Sequence, residues 1–164
     1  MNGPRLEKAA LLAALVAELR DARERMLSAQ KTSAQGVTHA DAKSEGDKDM
    51  RATEASYVAR GQAMRVEALD AEVAKVAGMY PRDFPEDAKI GLGALVTLEE
   101  EAGERLVLVA PGGGGTVLTL EGTRVHVVTP SSPLGRALVG MAAGDVVLVR
   151  RGGTEDEVSV VAVR

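Results

Sequence analysis

The chain has 164 residues, 45% of them hydrophobic, enough for one ordinary domain or two small ones with a buried core. Its formal net charge is −4, from 20 Lys+Arg against 24 Asp+Glu, and aromatic residues make up only 2%. It therefore lacks both the basic excess and the stacking platform with which a protein grips nucleic acid unaided, and without cysteine it has no disulfide, thiolate metal centre or cysteine nucleophile.

From residue 6 to about residue 30 the apolar positions Leu12, Leu15, Leu19, Ala22, Met26 and Ala29 recur at alternating spacings of three and four, the seam of a coiled-coil helix. A second seam runs through Ala52, Ala55, Ala59, Val66, Leu69, Val73, Val76 and Tyr80, with Gln62 as its one polar interruption. Neither helix buries such a seam alone. The stretch 31–48 between them is polar and too short for a domain, so the spacing predicts an antiparallel hairpin over 1–80, roughly 40 Å long at 1.5 Å per residue. A hairpin of this kind also suits a simple dimerisation coiled coil. The apolar stretch 9–17 follows Arg5 and Lys8, but Glu7 interrupts the basic segment and nine residues are too few for a bilayer, which needs about 20. The expectation is a cytoplasmic protein that does not enter the membrane.

Pro81 and Pro85 with the charges between them end the second helix and make a linker over 81–89. From residue 90 the composition turns to short Val- and Leu-rich runs, predicting strands near 94–99, 105–110, 116–120, 124–128, 145–150 and 157–163. One helix interrupts them at 133–139, with Ser132 as N-cap, Pro133 at its first position and Gly140 at its end. The fold class is α+β: a helical coiled-coil hairpin, then a small antiparallel sheet domain with one helix over 90–164. Charge divides with it, since residues 1–80 carry twelve basic and twelve acidic side chains while 81–164 carry eight and twelve.

The segment SSPLGRALVGMAAGDVV, residues 131–147, resembles the C-terminal signature of the GreA/GreB transcript-cleavage factors, in which S-P-L-G-R-A-L precedes a G and then G-D before a Val-rich strand. Ser44-Glu45-Gly46, followed by Glu54 and Gly61, resembles the tip and second-helix pattern of the same family. The resemblance spans nearly the whole chain, more closely over 90–164 than over 1–80. It implies a coiled-coil finger followed by an FKBP-like domain, and a transcription elongation factor that binds bacterial RNA polymerase through its secondary channel. It implies an accessory factor rather than an enzyme, which stimulates the polymerase to cleave the backtracked RNA 3′ end. Independent sequence-specific DNA binding is not expected. Arg136 of the signature is a candidate polymerase contact.

In the family, two fingertip carboxylates help hold a second Mg²⁺ of the polymerase active site. The tip here has Asp41 and Glu45 as the counterparts of that pair, with Asp47 and Asp49 as further acids. A hard cation takes oxygen ligands, so the residue types suit Mg²⁺ shared with the polymerase rather than bound stably by this chain alone. The family pattern D-x-S-E separates its carboxylates by three positions, whereas Asp41 and Glu45 are four apart and Gly46 stands where Asn is usual. This departure makes a non-cleaving channel regulator or inhibitor the alternative function.

Other signals are weaker. His39 and His126 have no partner histidine at ligand spacing. Gly112 to Gly115 are followed by no Lys-Ser/Thr and read as a hairpin connection between strands. Lys31, Lys43, Lys48, Arg51, Arg60 and Arg65 alternate with acids, as on a solvated helix face. The FKBP-like fold raises prolyl isomerisation, but such pockets are lined with aromatics and none follows Phe84.

Overall fold

A computed structural model describes residues 6–39 and 48–164, with side chains over 6–33 and 49–164. Two helices, α1 (Lys8–His39) and α2 (Lys48–Ala77), precede the strands β1 (Leu95–Glu100), β2 (Gly103–Val109), β3 (Val117–Leu120) and β4 (Thr123–Val128). The short helix α3 (Pro133–Leu138) and strands β5 (Val146–Arg151) and β6 (Thr154–Val163) complete the chain. It divides into two compact units, one made of Met1–Val16 with Ala74–Arg164 and the other of Ala17–Val73.

The hairpin arms are longer than the polar composition of 31–48 suggests. α1 runs on through Lys31, Thr32 and Ser33 to His39, because helix continuation needs only the absence of proline and reasonable propensity, not an apolar face. Within Ala17–Val73 the two seams meet where Leu19 and Val66 are buried and Ala22, Met26, Leu69 and Val73 half-buried. Arg23 Nε donates to Asp70 Oδ1 across the same level. Farther out, Ala52, Ala55 and Ala59 are exposed although they lie on the seam. The first helix offers no matching apolar series beyond Ala29, and a methyl group reaches no distant partner.

All six strands form one sheet in the order β3-β4-β2-β1-β6-β5. Four of the five pairings are antiparallel, but β2 and β4 run parallel, with Leu106 opposite Val125 and Val107 opposite His126. The sheet is thus mostly antiparallel, as expected, with this one parallel pair. The glycine run after β2 is accordingly no hairpin: it carries the chain past the position of β4 to the sheet edge, and β4 returns between β3 and β2. Its place is set by packing, since a Cβ on Gly113 would lie 2.7 Å from Leu15 Cδ1.

One sheet face and α3 enclose a core of Val96, Leu98, Val107, Val109, Leu134, Leu138, Val147, Val158 and neighbours, with Phe84 packed at its margin. The other face, including Leu95, Leu108, Leu118, Val125 and Val127, is equally buried. Leu11, Leu12 and Leu15 of α1 and Val76 of α2 are buried in the same compact unit. A sheet apolar on both faces needs cover on both, and Leu15 of α1 packs against the sheet domain at Gly113. No described helix is long and apolar enough to cross a membrane.

Candidate functional site

Of the tip acids, Asp41, Glu45 and Asp47 lie outside the described residues. Asp49 occupies the first turn of α2 and is exposed, where its carboxylate complements the positive end of the helix dipole. Its backbone carbonyl accepts a hydrogen bond from Thr53 Oγ1 at 2.8 Å. Among the described residues no group of three or more acids and histidines is arranged to hold a metal ion.

The outer half of α2 has a second feature besides its seam. Every residue from 49 to 61 is exposed. Met50, Tyr57 and Met64 recur every seven residues at the position farthest from the seam, and they are 70%, 69% and 64% exposed, with Val58 beside them. On a solvated helix this position is ordinarily charged or polar. A row of large apolar side chains there marks a surface that meets something else. The signal was present in the sequence as a second heptad series, offset by two from the seam.

The C-terminal signature resolves residue by residue. Ser132 has the extended backbone of an N-cap; its Oγ accepts from Gly135 N at 3.0 Å and donates to the Thr129 carbonyl at 2.8 Å. Pro133 opens the helix, where its missing N–H costs nothing. Leu134 and Leu138 enter the core. A Cβ on Gly135 would stand 1.9 Å from the Thr129 oxygen, so only glycine permits this approach. Val139 is the C-cap, and Gly140 follows it at φ +87°, the left-handed position just past the cap where a helix-ending glycine sits. Farther on, Asp145 closes the turn into β5, its Oδ2 accepting from Ala142 N at 2.8 Å. Arg136 is different: its side chain is exposed and only its backbone takes part, donating to the Ser132 carbonyl at 2.9 Å.

A charged cluster occupies the sheet at the end away from α3. Glu100 Oε1 accepts from Arg151 Nη2 at 2.9 Å and from Arg105 Nη1 at 3.3 Å. Burial pushes the Glu100 carboxyl upward in pKa, but the hydrogen bonds and charges of Arg151 and Arg105 together outweigh it and hold the group below 4.5. His126 is half-buried on β4, and burial first, then Arg105 and Arg124, hold its pKa below 6.5 against the opposing pull of Glu100. An open groove of about 770 Å³ passes the starts of β2 and β4, with Arg105, Arg124, His126 and Arg164 in its lining against one acid, Glu104. The sequence gives little warning of this cluster, because its members are scattered over β1, β2, β4 and β5.

These parts define a class: a two-armed helical hairpin followed by a six-stranded sheet domain with one capped helix. No protein-family model matches the chain, and no curated protein does. Solved structures similar to it are the transcription factor Gfh1, at 22% identity over 92% of this chain and 94% of that one with a TM-score of 0.40, and Gfh1 of Thermus aquaticus, at 24% identity over 92% and 91% with a TM-score of 0.38. A GreA/GreB elongation factor of Nitrosomonas europaea is similar over 58% of this chain and 77% of its own, at 22% identity and a TM-score of 0.36. Likenesses at TM-scores below 0.5 are too loose to carry a function.

Proposed function

We propose that the protein is an accessory transcription elongation factor that binds bacterial RNA polymerase, enters its secondary channel with the helical hairpin, and stimulates cleavage of the backtracked RNA 3′ end. The observation that carries this reading is the outer half of α2, where residues 49–61 are exposed throughout and Met50, Tyr57 and Val58 face outward. A hairpin that folds alone gains nothing from apolar residues there, whereas one that works inside another macromolecule buries them against its walls. The likeness of 131–147 to the GreA/GreB signature supports the same partner. Core packing and capping account for most of that signature, and Arg136 is the residue left over for contact.

The tip's donor set is carboxylate oxygen throughout, the set that Mg²⁺ takes. Asp41 and Glu45 would hold the ion jointly with the polymerase, with Asp47 and Asp49 within the same stretch. When bound, a second Mg²⁺ supplies charge for an in-line displacement at the RNA phosphate. The chain's own contribution is to bring negative charge to a fixed depth. α1 and α2, of 32 and 30 residues, have the length to do so, about 45 Å at 1.5 Å per residue.

A second reading keeps the partner and changes the output. The four-position separation of Asp41 and Glu45 favours a regulator that occupies the channel without promoting cleavage. Incubating the protein with a backtracked complex carrying labelled RNA and Mg²⁺ separates the two, run beside Asp41→Ala/Glu45→Ala and Tyr57→Ser variants. Shortened RNA with the native chain but not the double variant establishes cleavage through the carboxylates. Binding without shortening moves the assignment to the non-cleaving regulator. Absence of any polymerase binding, or undiminished activity in both variants, removes the proposal.

A further inference from the structure

The sheet carries a concentration of positive charge that its ion pairs with Glu100 use only in part. Leu106 pairs with Val125 and Val107 with His126 in the parallel β2–β4 ladder, so Arg105 and Arg124 stand side by side one step earlier. Strand side chains alternate between faces, which sets Arg105, Arg124 and His126 on one face. Thr119 of β3 lies opposite Arg124 and adds a hydroxyl at the same level. Like charges directly opposed across a ladder are destabilising.

Neutralisation is incomplete. Glu100 is one carboxylate shared between Arg105 and Arg151. Arg105 Nε is buried with no hydrogen-bond partner. Arg124 is exposed, and its side chain has no hydrogen bond or ion pair among the described residues. His126 sits beside both arginines, which disfavour its protonation in addition to burial. Glu100 stabilises Arg105 and Arg151, but it leaves the exposed Arg124 uncompensated, and an anion beside Arg124, Arg105 and His126 supplies the missing negative charge.

We propose that Arg105, Arg124 and His126 form a binding site for a phosphate group, carried either by a free nucleotide or by the backbone of a nucleic-acid strand. Guanidinium forks match the geometry of phosphate oxygens and provide several donors at once, which a single carboxylate satisfies less well. No aromatic residue follows Phe84, so recognition rests on the phosphate and not on the base. This site is separate from the fingertip and its existence does not depend on RNA cleavage.

The test is a pH titration of the His126 ring by NMR in the full chain, with the Arg124→Gln variant as control. It is run alone and then with adenosine triphosphate, with guanosine triphosphate, with a single-stranded oligouridine RNA, and with sodium chloride at matched ionic strength. The expected result is a saturable rise in the His126 pKa with the phosphate compounds and none with sodium chloride. The two triphosphates bind alike, and Arg124→Gln weakens binding about tenfold. Arg124 is exposed, so this variant folds. Tighter binding of the triphosphates assigns the site to free nucleotides; tighter binding of the RNA assigns it to a strand backbone. A shift reproduced by sodium chloride, or binding unchanged by Arg124→Gln, overturns the proposal.

Discussion

Gly135 offers a sharp test of how the C-terminal signature works. In Gly135→Ala the new methyl group would begin 1.9 Å from the Thr129 carbonyl oxygen and 2.8 Å from its carbon. Real Cβ contacts lie beyond 3.0 Å, and the obstacle is backbone, so α3 must move off the carbonyl by about 1.1 Å. That movement disturbs both hydrogen bonds of the Ser132 cap and shifts Leu134 and Leu138 within the core. Loss of a cap costs about 1 kcal/mol, and overpacking about 1–3 kcal/mol. Together they amount to about 3 kcal/mol, which lowers Tm by about 10 °C in a chain of this size. Thermal unfolding followed by circular dichroism measures it, with Ser132→Ala as a companion expected to lose only the cap. A Gly135→Ala variant melting within about 2 °C of the native chain would refute the reasoning, because the close approach would then be no constraint.

Two further outcomes follow from other parts of the sheet domain. Glu100 has its folded pKa below 4.5, so its contribution to stability is whole above about pH 4.5 and is lost as pH falls through the lower folded value. Glu100→Gln is expected to cost about 1 kcal/mol at neutral pH, given the partial exposure of Arg151, and to flatten the acid limb of stability measured by denaturant titration; an unchanged acid limb would exclude Glu100 as its source. Arg136→Ala is expected to leave Tm within about 2 °C of the native chain, since only the backbone of Arg136 is engaged, while weakening association with polymerase in a competition assay. Lost stability with undiminished association would reverse its role.

Much of the architecture was legible because it depends on local spacing. The strand runs near 94–99 and 157–163 correspond to β1 and β6, and Ser132 with Pro133 marks the start of α3 as expected. Errors fell where local pattern is silent. Lys31, Thr32 and Ser33 look like loop residues yet continue α1, because polarity does not end a helix. The glycine run looked like a hairpin connection, and nothing in a strand's own residues shows that its neighbour will come from farther along the chain and lie parallel. The site was legible only in part. The acids of the tip can be read directly, but Asp41, Glu45 and Asp47 lie outside the described residues, and the outward row of Met50, Tyr57 and Met64 escaped notice beside the stronger seam.

By itself the sequence determined that two amphipathic helices precede a Val-rich sheet, that one short helix is capped by Ser132 and Pro133, and that no thiol chemistry occurs. Each follows from bonds and periodicities within a few residues. Tertiary structure alone decided that β4 inserts beside β2, that Gly135 must be glycine because it meets the carbonyl of Thr129, and that Glu100, Arg105 and Arg151 form one charge cluster. These depend on residues distant in the chain becoming neighbours, and such contacts arise only when the sheet closes around its core.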